Sequence, residues 1–377
     1  MRVYGSDAIR NVAFVGHGGS GKTTLVDALA FVSGASRRHG NIKDGTTLTD
    51  YTPDEIARQH SISLGLAYAE WMDTKLNLLD TPGYLDFFGE VVTGLHAADA
   101  AVVVVSGVSG VEVGTEKAWE VCDRLHLPRL IFVGQMDKEH ANFERVFADV
   151  KAHLSPKVLP VEVPIGEGST FRGIVNLFSG KSHIYKPGTK SGEYDEVEVP
   201  AEHQAEVKKY SDLLIETVAA TDDALIERYL GGEEIPREEV IAALKTAVVA
   251  GSIVPLFVGS ATLTFGMRAL LTKMVEIFPA AADVPPPVDA PLLGRVFKTT
   301  SEPHVGDVTL FRLYAGTLKN GADVWNAEHE VAEKLNHLSV QQGRERTEVG
   351  VLHAGDIGSV AKLRNTHTGD TFCLRDT

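Results

Sequence analysis

Short apolar runs alternate with amphipathic segments through the first half of the chain. Runs rich in branched residues predict buried strands at Asn11–Gly16, Lys75–Leu79, Ala100–Val105, Arg129–Gly134 and Ile253–Gly259. Helical periodicity occurs between or after these runs, at Lys22–Val32, Gly114–Leu125, Asn142–Leu154 and Phe265–Phe278. Because strands and helices alternate, we expect a mostly parallel, doubly wound α/β sheet.

A long insertion separates Asp137 from Ser260, which is more than a compact α/β domain needs as a connection. Its front, Val158–Lys186, has strand and turn character, and its back, Ala201–Ala250, is acidic and helical. This pattern predicts an inserted α+β subdomain. We expect the first domain to occupy residues 1–157 and 251–281, and the subdomain to occupy 158–250.

The proline-rich stretch Pro279–Pro291 is typical of a stiff linker, which we place at 282–291. Beyond it, over 292–377, the pattern becomes that of an all-β barrel. Strands are expected at Val296–Lys298, Asp307–Leu318, Asp323–Asn326 and Gly358–Leu363. Asn320-Gly321 is expected to form a two-residue hairpin turn with positive φ.

Composition and charge exclude several classes of protein. A chain of 377 residues with 44% hydrophobic and 23% charged residues is folded, and it is too long for a single core. The net charge of −15 argues against a surface that coats nucleic acid, and we expect no DNA partner. The two cysteines, Cys122 and Cys373, make neither a disulfide framework nor a zinc site.

The longest strongly apolar run, Ala100–Val105, is too short to span a bilayer, so we expect no membrane association. Met1–Tyr4 leads almost directly into a predicted strand and leaves no room for a signal peptide. These features, together with the sparse cysteines, predict a cytoplasmic protein.

A phosphate-binding loop is indicated by Gly16-His17-Gly18-Gly19-Ser20-Gly21-Lys22-Thr23, which fits Gly-x-x-x-x-Gly-Lys-Ser/Thr between a strand and a helix. The glycines let backbone N–H groups surround phosphate oxygens, and the helix N-terminus adds its positive dipole end. We expect Lys22 to reach the β- and γ-phosphates and the Thr23 hydroxyl to bind Mg²⁺. Thr24 completes the expected set of nucleotide contacts.

A second element, Asp80-Thr81-Pro82-Gly83, ends a buried strand. Asp80 is placed to hold Mg²⁺, directly or through water, and the Gly83 amide can approach the γ-phosphate because glycine has no Cβ.

Loops after two later strands are candidates for base recognition. In Gly134-Gln135-Met136-Asp137, the carboxylate of Asp137 can accept two hydrogen bonds from the N1 and N2 edge of guanine, which adenine cannot supply. Gln135 belongs to the same predicted contact set. Backbone amides near Ser260 and Ala261 are expected to bind the exocyclic oxygen of the base.

The segment Asp80–Phe87 resembles the DTPGHxDF motif of translational GTPases. The position of the insertion is similar to that of elongation factor G, as are four further segments: Ile226–Glu234, Val254–Ala261, Phe311–Leu318 and Thr368–Thr371. The resemblance implies a P-loop GTPase domain followed by a translation-factor barrel, with GTP or GDP and Mg²⁺ as ligands. It also implies a monomer that binds the ribosome at the large-subunit factor site, with rRNA and the stalk protein as partners, the latter through the insertion.

The chain departs from this family at three positions. Tyr84 stands in place of the catalytic histidine, and Gly134-Gln135-Met136-Asp137 replaces Asn-Lys-x-Asp, which removes a guanine contact and a packing stem. Ser61 aligns with the switch threonine and keeps the hydroxyl that completes the Mg²⁺ shell. The sequence resembles elongation-factor-G-like paralogues with tyrosine after the glycine, so Tyr84, Lys22 and Gly83 are the candidate catalytic residues and hydrolysis is expected to be slow.

Two functions stay open at this point. One is a ribosome-associated GTPase of translocation or ribosome disassembly, and the other is a GTP-binding regulatory switch with little or no hydrolysis. Tyr84 distinguishes them, unless another residue, such as His17, orients the attacking water. A P-loop kinase or ATPase is disfavoured by Asp137 and the barrel. Since the resemblance covers only the front half of elongation factor G, we expect a fragment or the product of a truncated reading frame.

Overall fold

The computed structural model describes residues 2–189, 191–302 and 305–375; Met1, where the predicted approach to the first strand begins, lies outside them. Up to residue 160 the elements are β1 (Ile9–Val15), α1 (Lys22–Val32), α2 (Pro53–Arg58), β2 (Gly65–Trp71), β3 (Thr74–Asp80), α3 (Phe88–Ala97), β4 (Ala100–Ser106), α4 (Val113–Arg124), β5 (Arg129–Gly134), α5 (Phe143–His153) and β6 (Val158–Pro160). The next group is β7 (Glu162–Ile165), β8 (Gly173–Asn176), β9 (Lys181–Tyr185), β10 (Tyr194–Glu198), α6 (Gln204–Ala219), α7 (Asp223–Leu230), α8 (Arg237–Val249), β11 (Val254–Val258) and α9 (Met267–Ile277).

The described strands of the first domain form a seven-stranded sheet in the order β2-β3-β1-β4-β5-β11-β6. Every pairing is parallel except that of β2 with β3. All residues of β1, β3, β4, β5 and β11 are buried, because helices cover both faces of a parallel sheet. The predicted α/β fold class is confirmed, whereas the antiparallel strand β2 was not predicted.

The insertion is built on a separate antiparallel sheet, in the order β10-β9-β8-β7, accompanied by α6, α7 and α8. Its predicted start at residue 158 differs from the structure, since β6 pairs in parallel with β11 and Val158 lies opposite Val254. The buried segment Val158–Pro160 thus completes the edge of the first sheet, and the separate sheet begins at Glu162.

The last domain is all-β, as predicted. Its strands are β12 (Leu293–Glu302), β13 (Gly306–Ala315), β14 (Thr317–Lys319), β15 (Ala322–Asn326), β16 (Val331–Leu335), β17 (Ser339–Gln342), β18 (Glu345–Glu348), β19 (Val351–His353), β20 (Ile357–Ala361) and β21 (Thr371–Cys373). The described strands form an eight-stranded antiparallel sheet, in the order β16-β15-β21-β12-β13-β20-β17-β18, and a two-stranded sheet of β14 and β19.

The hairpin predicted at Asn320-Gly321 is wrong. The flanking strands do not pair with each other: β14 pairs with β19, and β15 pairs with β16 and β21. Gly321 has a φ of 78°, but Asn320 is not among the residues with positive φ. The two residues therefore connect two sheets, because strand partners distant in sequence decided the pairing.

A buried polar network joins the barrel to the base of the first domain. The Lys75 ammonium lies 2.6 Å from an Asp356 carboxylate oxygen. Nearby, the Asn11 amide donates to Asp99, whose other oxygen pairs with Arg312 at 2.5 Å. These contacts hold the barrel against the end of the sheet that lies opposite the phosphate loop.

Within residues 2–189, 191–302 and 305–375, every helix is too short or too polar to span a bilayer. Within the same part of the chain, Cys122 and Cys373 are both buried and form no disulfide.

Candidate functional site

The phosphate loop connects β1 to α1, as the motif predicts. Gly16 has a φ of 145°, and a Cβ on it would lie 2.3 Å from the Val104 carbonyl oxygen. Gly21, which precedes the first turn of α1, has a φ of 98° in the left-handed region. Only glycine fits these two positions, so the loop curls tightly in front of the helix N-terminus and can present backbone N–H groups to an anion.

Lys22 is enclosed by this loop. Its Nζ donates hydrogen bonds to the carbonyl oxygens of Gly16, at 3.0 Å, and His17, at 2.8 Å. Burial lowers the pKa of Lys22 to about 8, and the carboxylates of Asp80 and Asp50 oppose this shift only in part. A phosphate group would supply the negative charge that this buried ammonium lacks.

The residues predicted to hold Mg²⁺ come together at the first turn of α1. The hydroxyls of Thr23 and Ser61 lie 2.9 Å apart. Asp80 accepts a hydrogen bond from Thr49 through Oδ2 at 2.5 Å, whereas its buried Oδ1 has no hydrogen-bond partner among the described residues. Burial raises the pKa of Asp80 to about 6, against the effect of nearby hydroxyls and Lys22. Two hydroxyls beside a carboxylate with an unpaired buried oxygen fit a hard divalent cation.

Asp50 also belongs to this cluster, although the sequence analysis missed it together with Thr49. Asp50 is 5% exposed, and neither carboxylate oxygen has a well-formed hydrogen bond within the part of the chain that the structure describes. Burial and then the Asp80 carboxylate raise its pKa to about 7, while the Ser61 hydroxyl lies near enough to oppose them. No motif marks this loop, and only the fold brings Asp50 to Asp80.

Gly83 lies directly against the phosphate loop. A Cβ at this position would be 2.4 Å from the Lys22 Nζ and 2.5 Å from the Gly18 backbone nitrogen. The loop is held by Thr81, whose Oγ1 donates to the Phe14 carbonyl at 2.6 Å. The Gly83 backbone therefore approaches the phosphate loop too closely to leave room for a side chain.

Tyr84 covers the phosphate loop from the outside. Its side chain is 44% exposed, and a Cβ on Gly18 would lie 3.1 Å from the phenol ring. The His60 ring packs against it, with ring centroids 4.6 Å apart. The Nδ1 of His17 accepts from the Gly114 N–H at 3.1 Å at the start of α4. The contact of His60 with Tyr84 is one that sequence spacing does not reveal.

The two loops predicted to recognise the base meet. The Met136 N–H donates to the Gly259 carbonyl at 3.2 Å, which brings Asp137 and the Ser260-Ala261 turn to the same end of the sheet. Asp137 and Ala261 are half-buried and Ser260 is buried.

The Gln135 side chain takes the place of the packing stem whose loss was predicted at this position. Its Nε2 donates to the Gly19 carbonyl at 2.9 Å, and its Oε1 accepts from Ser106 at 2.7 Å. The amide supports the phosphate loop in place of a lysine stem, because it is long enough to reach a backbone carbonyl.

Comparison with known proteins agrees with this architecture. Residues 7–280 match the elongation factor Tu GTP binding domain, and residues 291–375 match domain 2 of elongation factor G. The fold is similar to the crystal structure of ttk003000868 from Thermus thermophilus, with 37% sequence identity and a TM-score of 0.89. The match covers 97% of this chain and 54% of the Thermus chain, so this chain spans about half the length of that protein. The chain therefore belongs to the translational GTPases of the elongation factor G type.

Proposed function

We propose that this protein binds Mg²⁺–GTP and GDP in preference to ATP and hydrolyses GTP slowly at the ribosome, in translocation or ribosome disassembly. The observation that carries the proposal is the convergence of Lys22, Thr23, Ser61 and Asp80 at the first turn of α1. Those four groups match the charge and the metal shell of a nucleoside triphosphate.

Each residue has a defined task in this proposal. Lys22 neutralises the β- and γ-phosphates, and the Gly83 amide donates to the γ-phosphate. Thr23, Ser61 and Asp80 hold Mg²⁺, which, when bound, screens the charge that develops on the phosphates. Asp137 accepts from the guanine edge, supported by the backbone near Ser260.

Slow hydrolysis follows from the side chain over the phosphate loop. Attack by water needs a group that orients the water and takes up its proton. Tyr84 occupies the position above Gly18, and a phenol is a poor proton acceptor near neutral pH. We therefore assign Tyr84 a role in covering the site and expect it to be a weak substitute for histidine.

Guanine selectivity is tested by competition. Labelled GDP bound to the full chain should be displaced by GTP at far lower concentrations than by ATP. Asp137→Ala should abolish this preference while it leaves binding through the phosphates intact. Asp195→Ala, an exposed carboxylate on β10, serves as the matched control. Equal displacement of GDP by ATP and GTP from the parent protein would refute the proposal.

The partners belong to the same proposal. The large-subunit factor site, with its rRNA, would contact the nucleotide domain, and the acidic helices α6, α7 and α8 would contact the stalk protein. The protein would act there as a monomer in the cytoplasm. GTP turnover measured with and without ribosomes tests this, and stimulation by ribosomes is the expected result.

A regulatory switch with little or no hydrolysis is the second candidate, and Tyr84 in place of histidine favours it. It predicts nucleotide-dependent binding to ribosomes without stimulated turnover. The same pair of measurements therefore separates the two functions.

A further inference from the structure

The backbone that follows Ser61 is held by two carboxylates. Glu55 Oε1 accepts from the N–H groups of Ile62, at 3.1 Å, and Ser63, at 3.2 Å. Glu90 Oε2 accepts from the N–H group of Leu64 at 2.6 Å. Three consecutive amides of an irregular segment are thus satisfied by side chains, one on α2 and one on α3.

Glu55 is itself firmly placed. It is buried, and its Oε2 accepts from the backbone N–H of Thr52, at 3.2 Å, and from the Thr52 hydroxyl, at 2.7 Å, in a capping box. The groups that hold this end of the segment, Glu55 and Thr52, both belong to the first domain.

The other end depends on the barrel. Lys298 of β12 is buried, and its Nζ lies 2.5 Å from Glu90 Oε2 and donates to the Leu64 carbonyl at 3.1 Å. Leu64 therefore has its N–H bound by Glu90 and its carbonyl bound by Lys298, a residue 234 positions away in the chain.

We propose that Glu90 and Lys298 form a clamp that positions Ser61 for Mg²⁺, so that the barrel takes part in Mg²⁺-dependent nucleotide binding. The inference rests on the proposed function of the site. Lys298 neutralises a partly buried carboxylate and keeps it directed at Leu64. Without this ammonium, Glu90 can turn to solvent, and Leu64 then loses the hydrogen bonds to both its N–H and its carbonyl group. Ser61 is then no longer held beside the Thr23 hydroxyl. Glu90 and Lys298 are positioning residues.

The clamp is tested first without nucleotide, by hydrogen exchange of the amides at positions 62–64 in the full chain. Lys298→Met keeps the aliphatic stem and removes the charge. It should speed exchange at Leu64 about tenfold, the lower end of the effect of losing a charge-assisted hydrogen bond. Lys334→Met is the control, because it makes the same substitution in the barrel at a lysine that pairs with Asp323, at 4.0 Å. Unchanged exchange at Leu64 in Lys298→Met would overturn the proposal.

The second readout is the Mg²⁺ concentration at half-maximal GTP binding. Lys298→Met should raise it about tenfold, since the ion loses a positioned ligand, whereas binding at saturating Mg²⁺ should match the parent. A purely structural role would leave this midpoint unchanged, and so should Lys334→Met. Faster exchange at Leu64 with an unchanged Mg²⁺ midpoint would also overturn the proposal.

Glu90→Gln provides a second variant if Lys298→Met does not fold. Its amide oxygen can still accept from Leu64 but no longer attracts Lys298, and both readouts should move in the same direction as in Lys298→Met. Failure of the parent to bind Mg²⁺–GTP would refute the proposed function alone. The contacts of Glu90 and Lys298 with Leu64 are tested separately, because hydrogen exchange is measured without nucleotide.

Discussion

Glu162 is a buried carboxyl group whose ionisation opposes folding. It begins β7, is 2% exposed, and its Oε2 has no hydrogen-bond partner among residues 2–189, 191–302 and 305–375. Burial raises its pKa from 4.5 to about 8, against the smaller effects of the Val258 backbone and Lys273. The side chain is therefore mostly protonated in the folded protein at pH 7.

The sign of the pH dependence follows from this raised pKa. Below pH 4.5 the carboxyl is protonated in both the folded and the unfolded state and has no effect on stability. Between pH 4.5 and 8 the Glu162 carboxyl ionises in the unfolded chain but stays protonated in the folded protein. The free energy of unfolding therefore falls by about 1.4 kcal/mol per pH unit. The resulting destabilisation is about 1 kcal/mol at pH 5 and about 3 kcal/mol at pH 7.

Replacing Glu162 with Gln removes this dependence and keeps the shape of the side chain. The melting temperature of Glu162→Gln, relative to the parent, should therefore increase by roughly 5 °C between pH 5 and pH 7. Scanning calorimetry at both pH values measures the change. Glu198→Gln, on the exposed end of β10, is the control and should show no such trend. If the melting temperatures of Glu162→Gln and the parent differ by the same amount at both pH values, the pKa of Glu162 is not raised.

Other predictions concern the site and the domain junction. Tyr84→His should raise single-turnover GTP hydrolysis by on the order of 10²–10⁴ at unchanged affinity; a flat rate, with activity lost in Tyr84→Phe, would show that the tyrosine itself acts in catalysis. Lys22→Ala should weaken GTP binding by roughly 10–100-fold, whereas Thr23→Ala should mainly change the Mg²⁺ requirement, and parental binding by both variants in titrations would contradict the phosphate-loop assignment. Lys75→Met should destabilise the protein by about 3 kcal/mol in urea unfolding, because it leaves the Asp356 carboxylate buried without its counter-ion, and adding Asp356→Asn should recover most of the loss. Unfolding of Lys75→Met at the parental urea midpoint would be inconsistent with this account.

Features that depend on neighbouring residues could be predicted from the amino-acid sequence. The phosphate loop and the Asp80–Gly83 turn are defined by residue types at short spacings, since only glycine allows the backbone to approach so closely. The strands of the α/β domain were predicted from apolar runs rich in branched residues, which are typical of strands buried on both faces. Its helices were predicted from helical periodicity. The all-β character of the last domain was likewise visible in local alternation.

Contacts between distant segments were decided by the tertiary structure alone. The turn at Asn320-Gly321 joins two sheets because each neighbouring strand finds a partner elsewhere in the chain. Asp50 reaches Asp80, and His60 reaches Tyr84, although the spacing of these residues in the sequence predicts neither contact. The Lys298–Glu90 pair links residues 208 positions apart. Side-chain chemistry restricts which groups can meet, but packing of the complete fold selects which of them do, because the free energy of each contact depends on the burial that the other segments provide.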